Sequence, residues 1–252
     1  MNKGDNDSVL SPNNNSSLKK RAVTYTLGVI ASLCLIVASV VLSVEFNITD
    51  NSFFINEYIK CRVDISLDMN LDDIEVVSKE MMKYLYGERD DLVVYTTMGG
   101  TYREFFNDRE KTHMIDVKAM LDTAIAVRTA CLLAAAVIIG VLAFIWRRGV
   151  AVFLARSYLL ACAATAAFFA FIGIFIAAFG FTEFWERFHG VFFTNDLWLL
   201  NPATDMMIRL LPEQFFSDLV ARSVLVFGII CGVLIIISAV VLFHCKRRRF
   251  IV

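Results

Sequence analysis

Length, composition and charge point to a membrane protein. The chain has 252 residues, of which 58% are hydrophobic and only 19% are charged, and its mean hydropathy is +0.62. These values exclude an ordinary water-soluble domain, although the length alone would fit one. The net charge of −1 gives no sign of a nucleic-acid partner, because the basic residues are grouped beside apolar stretches.

Four apolar stretches are long enough to cross a bilayer, whose hydrocarbon core of roughly 30 Å takes about 20 helical residues. They are predicted as transmembrane helices at residues 22–44, 123–146, 157–181 and 223–243. The sequence therefore predicts an α-helical integral membrane protein. We expect a four-transmembrane-helix bundle that carries a small extracytoplasmic cap domain of mixed α/β character.

Ten basic residues predict the orientation of these helices. They precede the first stretch, connect the second to the third, and follow the fourth: Lys19, Lys20, Arg21, Arg147, Arg148, Arg156, Lys246, Arg247, Arg248 and Arg249. By the positive-inside rule, both termini and the 147–156 loop are predicted to be cytoplasmic. We expect residues 1–21 to form a disordered cytoplasmic tail and residues 244–252 a basic cytoplasmic tail.

The predicted cap domain, residues 45–122, contains one cysteine, Cys61, so no disulfide within it is expected. This favours a bacterial plasma-membrane protein over a disulfide-stapled tetraspan adhesion protein. Alternating aromatic and polar residues predict strands within 53–66, and strand character returns at 92–97. Between them, Asp72 and three residues later Glu75 suggest a capping box that begins a helix.

The segment RExxHMIDVKAML, from Arg109 onward, is predicted to be a helix that continues into the second span. Glu110, His113 and Asp116 then share one helical face. A histidine between two carboxylates would be held in one tautomer, which suits proton transfer. The alternative is an ordinary solvated charged face.

The predicted outer segment 182–222 is rich in aromatic residues that alternate with polar ones, among them His189, Asn195 and Asp196. An aromatic belt at the lipid headgroups accounts for only part of this pattern. The segment is predicted to be re-entrant or interfacial and to line a site where a lipid-like molecule meets polar groups. A simple pair of interfacial helices is the alternative.

Two motifs carry a family resemblance: RExxHMxDVK before the second span, and FHxxFFxNDxWLLNPxTDxxIRLLPExFF between the third and fourth. In a four-span protein this combination resembles the bacterial lipoprotein intramolecular transacylases, Lit. The resemblance implies an enzyme of the outer leaflet. It would move the sn-2 acyl chain of a diacylglyceryl-modified lipoprotein to the α-amino group of that lipoprotein's N-terminal cysteine, yielding the N-acyl lyso form. Neither a cofactor nor a metal is implied.

The resemblance also implies site residues, because each matched block holds one outer histidine. His113 and His189 are the expected catalytic acid and base, whereas His244 lies beside the basic C-terminus. The expected substrate-positioning residues are Arg109, Glu110, Asp116, Asn195, Asp196, Trp198 and Arg128. For Arg128 the alternative is a cationic side chain that reaches from the span toward the headgroups.

Two other functions remain open from the sequence. A membrane-embedded zinc enzyme would use the Glu110-x-x-His113 pair, His189 and a carboxylate, although the stronger HExxH signature is missing. A non-catalytic tetraspan scaffold or sensor would use the cap domain to bind a partner. Metal analysis tests the first alternative, and mass spectrometry of lipoproteins tests the second.

Overall fold

The computed structural model describes residues 12–146 and 149–249. The elements in chain order are α1 (Pro12–Ile48), α2 (Asn51–Lys60), α3 (Val63–Leu67), α4 (Leu71–Leu85), β1 (Tyr95–Met98), β2 (Thr101–Glu104), α5 (Asp108–Trp146), α6 (Val150–Phe179), α7 (Phe181–Phe192), α8 (Met207–Leu210) and α9 (Glu213–Arg249). Within the described ranges, α1, α5, α6 and α9 are long and apolar enough to cross a membrane. The predicted four-span helical architecture is confirmed.

The described chain divides into two compact units. The first holds residues 12–37, 131–146, 149–165 and 231–249, which are segments of the four long helices. In this unit Tyr25 packs edge-on against Phe153, with ring centroids 5.0 Å apart. A side chain at Gly28 would collide with the hydroxyl of Ser157, so α1 and α6 approach closely there.

The second unit, residues 38–130 and 166–230, contains the shorter elements and a buried apolar core. The ring of Phe215 contacts those of Phe53, Phe54 and Tyr58. Tyr58 is fully buried, and its hydroxyl is paired in a 2.6 Å hydrogen bond with the hydroxyl of Ser78. This core lets the residues between α1 and α5 pack without a disulfide.

The prediction of strands within 53–66 is wrong, because that segment forms α2 and most of α3. Asp50 caps α2 by accepting hydrogen bonds from the backbone N–H groups of Ser52 and Phe53. The buried residues of α2 are Phe53, Phe54, Glu57 and Tyr58. These residues lie on one face of a helix. This helical spacing of buried residues describes the segment better than the alternation of aromatic and polar residues that predicted strands.

The helix predicted from Asp72 is α4, but its cap is Asn70, which accepts a 2.7 Å hydrogen bond from the N–H of Asp73. Glu75 pairs with Lys79 instead of closing a capping box. The helix ends where Gly87 adopts a φ of 73°. The N–H groups of Gly87 and Glu88 donate to Tyr84 and Lys83, which is the Schellman pattern.

The predicted strand at 92–97 contributes to a two-stranded antiparallel hairpin of β1 and β2. The turn between the strands consists of Gly99 and Gly100, whose φ angles are 55° and 74°. Two consecutive residues with positive φ form the turn that matches strand twist in a short hairpin, and glycine adopts it without strain. Among the described residues, the β-structure of the cap is therefore limited to this hairpin.

The terminal tails differ from the prediction where the structure describes them. Residues 12–21, predicted to be disordered, belong to α1, while residues 1–11 lie outside the described ranges. Pro12 occupies the first helical position, where its missing N–H costs nothing, and the long apolar span propagates the helix. At the other end α9 continues to Arg249, and residues 250–252 lie outside the described ranges.

The connection between the second and third spans is shorter than the predicted 147–156 loop. Helix α6 begins at Val150, because the apolar residues that follow favour helix, and residues 147–148 lie outside the described ranges. The third span ends at Phe179 rather than at residue 181. Gly180 causes this, since its φ of 90° cannot continue a right-handed helix.

Candidate active site

Helix α5 begins with a capping box that fixes the position of its first turn. The side chain of Asn107 accepts a 3.0 Å hydrogen bond from the N–H of Glu110, and the Glu110 carboxylate accepts one of 2.7 Å from the N–H of Asn107. The other carboxylate oxygen accepts a 2.5 Å bond from the N–H of Met207. Glu110 is fully buried, and this burial raises its pKa despite the amides.

Asp205 holds the 193–206 loop against the first turn of α5. Its carboxylate accepts hydrogen bonds from the side chain of Asn107 at 2.8 Å and from the N–H of Asn201 at 2.7 Å. Burial opposes the charge of Asp205, but these bonds and one from Thr204 outweigh it and lower the pKa. Asp205 and Glu110 therefore hold the loop against the start of α5.

His189 is the buried residue of the amphipathic helix α7. Its Nδ1 lies 2.7 Å from the carbonyl oxygen of Trp185, one turn earlier. A carbonyl only accepts, so Nδ1 donates, and the neutral ring carries its lone pair on Nε2. The ring stacks on Trp198 and meets Trp185 edge-on, with both centroid distances 4.7 Å.

His113 lies on α5, ahead of the apolar stretch 123–146, and only 6% of it is exposed. The centroid of its ring is 6.4 Å from that of His189. Phe193 touches both rings, at 5.2 Å and 5.6 Å. Within the described residues, Nδ1 of His113 is buried without a hydrogen-bond partner. The two histidines therefore lie side by side among aromatic rings.

Both histidines favour the neutral form. Burial lowers the pKa of His113 to about 4; the neighbouring His189 and Arg109 act in the same direction, while Asp116 opposes them. Burial also lowers the pKa of His189, which the Trp185 carbonyl partly offsets. Neutral imidazoles at physiological pH can accept a proton, as a general base must.

The lowered pKa of His113 predicts a loss of stability in acid. The unfolded histidine titrates near 6.5, so as the pH falls from 6.5 toward 4 the unfolded chain binds a proton that the folded protein excludes. At about pH 5 this costs about 2 kcal/mol relative to neutral pH. We expect the thermal unfolding midpoint in detergent to fall less for His113→Gln than for wild type when the pH is lowered from neutral to about 5. A His244→Gln control should behave as wild type, and equal shifts in all three proteins would contradict the prediction.

Three hydrogen bonds hold the 195–198 turn beside His189. The side-chain amide of Asn195 donates to Asp116 at 2.9 Å, and its backbone carbonyl accepts from the indole N–H of Trp198 at 2.9 Å. The guanidinium of Arg109 donates to the carbonyl of Asp196. These contacts hold Trp198 on the face of His189.

The expected positioning residues thus lie around the histidines, but not in the arrangement expected from helical spacing. Neither Glu110 nor Asp116 is hydrogen-bonded to Nδ1 of His113. Glu110 is occupied by two backbone amides and Asp116 by Asn195. A shared helical face brings side chains near each other, but nearer donors then take the carboxylates.

Arg128 lies apart from this cluster. Fifteen residues separate it from His113 on one continuous helix, which is about 22 Å along the axis. It forms an ion pair with Glu45 instead. The structure therefore does not bring Arg128 together with the two histidines.

Three residues with roles in this arrangement were missed. Asn107 and Asp205 build the anchor of the loop, and Trp185 orients His189. The spacing of Asn107 and Glu110 is that of a capping box, and Trp185 is one helical turn from His189, so both signals are visible in the sequence. Nothing local indicates that Asp205 also binds the start of α5, since Asn107 is distant in the chain.

In the part of the chain that the structure describes, no group of three or more His, Cys, Asp or Glu side chains is placed to hold a metal ion. The carboxylate of Glu110, which a zinc site would require, is bound by amides. What the site offers is a lone pair on Nε2 of His189 and an unpartnered nitrogen on His113, in aromatic surroundings. Such a site can move a proton between two groups of one bound molecule.

Comparison with known proteins places this chain in a family. The family model of the lipoprotein intramolecular transacylase Lit matches residues 29–216, about three quarters of the chain. No curated protein matches the chain.

The fold is similar to the in meso structure of the membrane-integral lipoprotein intramolecular transacylase Lit from Bacillus cereus. The TM-score is 0.69 at 18% identity, covering 91% of this chain and 99% of that one. Structures of the same Bacillus cereus protein with one histidine replaced by arginine or by alanine both give a TM-score of 0.68. They are 18% and 17% identical and cover 95% and 93% of this chain and 99% of theirs. On the family match, this chain belongs to the lipoprotein intramolecular transacylases.

Proposed function

We propose that the protein moves the sn-2 acyl chain of a diacylglyceryl-modified lipoprotein onto the α-amino group of the same molecule's N-terminal cysteine. The observation that carries the proposal is the buried pair of neutral histidines, with ring centroids 6.4 Å apart, in a chain of this family. Two proton acceptors next to each other match a reaction in which an amine loses a proton and a glycerol oxygen gains one.

In the proposed mechanism His189 is the base. Its Nε2 takes a proton from the amine as the nitrogen attacks the ester carbonyl carbon and the C–N bond forms. The same proton goes to the glycerol oxygen when the C–O bond breaks, so the histidine returns to its neutral state. His113, whose buried Nδ1 has no hydrogen-bond partner among the described residues, would bind the amine or the glycerol oxygen. Acid–base help is worth about 10²- to 10⁴-fold, and the proximity of amine and ester in one molecule contributes further.

The surroundings of the pair suit an amphipathic substrate. Val191, Phe192 and Leu199 are exposed apolar residues beside the site, where acyl chains would lie. Asn195, Asp196 and Arg109 line its polar side, where the glyceryl group and the peptide would lie. Buried Phe193 and half-buried Trp198 would keep water from the reacting ester, which favours attack by the amine over hydrolysis.

The test is a reaction of purified protein with a synthetic diacylglyceryl lipopeptide. Transacylation conserves mass, so the expected product is recognised by tandem mass spectrometry as an N-acylated cysteine fragment with one free glycerol hydroxyl. A lipopeptide whose amine is already acetylated is the matched control and should not react. Loss of a free fatty acid without N-acylation would show a hydrolase and contradict the proposal.

We also propose that the site faces the outer leaflet of a bacterial plasma membrane, with both termini in the cytoplasm. The basic residues beside the predicted inner ends of the spans support this orientation. We expect a reporter fused at the C-terminus to be cytoplasmic and one inserted near Gly87 to be external. A C-terminal reporter found outside would reverse the whole assignment.

A further inference from the structure

A pair of carboxyl groups joins α2 to α9 in the second unit. Glu57 lies on the buried face of α2 and is only 8% exposed. Its carboxyl lies within hydrogen-bonding distance of the carboxyl of Asp218 on α9. Two ionised carboxylates only accept hydrogen bonds and repel each other, so a direct contact between them requires a proton. One of the two groups must therefore carry that proton.

The nearby donors serve Asp218 and leave Glu57 without compensation. Nζ of Lys60 lies 2.5 Å from Oδ2 of Asp218 but 3.6 Å from Oε2 of Glu57. The side-chain amide of Gln214 donates to the same oxygen of Asp218 at 2.9 Å. Oε2 of Glu57 is shielded from solvent and accepts no hydrogen bond from any described residue. Asp218 is therefore the group that is stabilised as an anion, and Glu57 is the group that keeps the proton.

The surroundings of Glu57 favour its neutral form. Burial raises the pKa of Glu57, and the neighbouring Asp218 acts in the same direction, while Lys60 opposes them. Burial also raises the pKa of the Cys61 thiol at the end of α2, so this group adds no charge. The buried faces of α3 and α4, which pack against α2 as well, hold no charged residue. These faces therefore offer nothing to offset the charge of an ionised Glu57.

We propose that Glu57 and Asp218 share one proton, and that the release of this proton as the pH rises breaks a link between α2 and α9. Ionisation of Glu57 places two negative charges in contact beside one lysine, so the carboxylates separate. Phe215, three residues before Asp218, packs on α2, and Phe216 stacks on Trp185 of α7 with ring centroids 4.5 Å apart. The link thus holds the start of α9, which supports α7. It does not depend on the reaction proposed for the histidines.

The experiment is infrared spectroscopy of the full-length protein in detergent, which detects a protonated carboxyl by its C=O stretching band. At about pH 5.5, where ordinary carboxyls are ionised, the wild-type spectrum minus that of Glu57→Gln should contain this band. The band should vanish as the pH is raised. In an Asp218→Asn background it should vanish at a lower pH, because the neighbouring charge is gone and Lys60 is free to pair with Glu57. Glu75→Gln is the matched control and should give no such band, since Glu75 pairs with Lys79.

The thermal unfolding midpoint tests the same proton independently. The folded protein keeps this proton above pH 4.5, the ordinary pKa of glutamate, where the unfolded chain releases it. The midpoint of wild type should therefore fall relative to that of Glu57→Gln as the pH is raised from about 5 to 8. Both proteins carry His113, so the opposite effect of that residue cancels.

Glu57→Gln is nearly isosteric and keeps a donor toward Asp218, so it is expected to fold. The absence of a Glu57-dependent infrared band at about pH 5.5 would overturn the proposal, and so would a midpoint difference that does not change with pH. A band that vanishes at the same pH in wild type and in the Asp218→Asn background would overturn it as well, because the proton would then not be shared.

Discussion

Replacing His189 by alanine should lower the rate of transacylation by about 10²- to 10⁴-fold, the usual contribution of a general base. The variant loses the Nε2 lone pair that the Trp185 carbonyl holds available. His113→Ala should have a similar effect, because it removes the adjacent free nitrogen. The measurement is the rate of N-acylation of a diacylglyceryl lipopeptide by purified variants that unfold thermally like wild type.

The double variant should be little slower than either single variant, since groups that act as a unit are not additive. His244→Ala is the matched control, because that residue is exposed on α9 and its Nδ1 contacts only the backbone of Val240 within the described residues. Near-normal N-acylation by both single variants would refute the proposed mechanism but not the family assignment.

Glu110→Ala should destabilise the protein more than any other single change to a carboxylate around the site. It leaves the buried N–H of Met207 without an acceptor, at about 1–3 kcal/mol, and it also removes the acceptor of the N–H of half-buried Asn107. It also removes the carboxylate half of the capping box of α5 and the link to the backbone of Met207. We expect a lower thermal unfolding midpoint and faster proteolysis within the 193–206 loop.

Two further variants test why Glu110→Ala is expected to lose stability. Glu110→Gln keeps the volume and one acceptor oxygen, so it should be less damaging than alanine. Glu104→Ala removes a carboxylate whose one partner among the described residues is Lys111, at the surface, and should unfold almost as wild type does. If Glu110→Ala were as stable as Glu104→Ala, the loop would not depend on this anchor.

The membrane architecture was predictable because it rests on local composition. Each apolar stretch lies largely within one of α1, α5, α6 and α9, and the errors fall at ends such as Gly180, where a single backbone angle decides. The segment 53–66 was misread for a different reason. Its aromatic and β-branched residues resemble a strand, but the Asp50 cap and the buried face of Phe53, Phe54, Glu57 and Tyr58 make it helical.

The candidate site was only partly predictable. His113 was singled out by its spacing from Glu110 and Asp116, and it was paired with His189 through a family resemblance. No local pattern shows that residues 76 positions apart have rings 6.4 Å from each other. The distant partners of Glu110 and Asp116, which are Met207 and Asn195, could not be predicted either. Both carboxylates are bound by groups from the 193–207 region, which is distant in the chain.

The hydrogen bond between His189 and the carbonyl of Trp185 affects how this site tolerates mutation. An aspartate or glutamate that orients a histidine can be lost through a single substitution, and it brings a negative charge into an environment that solvates charge poorly. A backbone carbonyl adds no net charge and remains whatever side chain residue 185 carries, provided that α7 stays helical. The proton of His189 is therefore placed by the main chain, and sequences can diverge around it without changing which nitrogen is free to react.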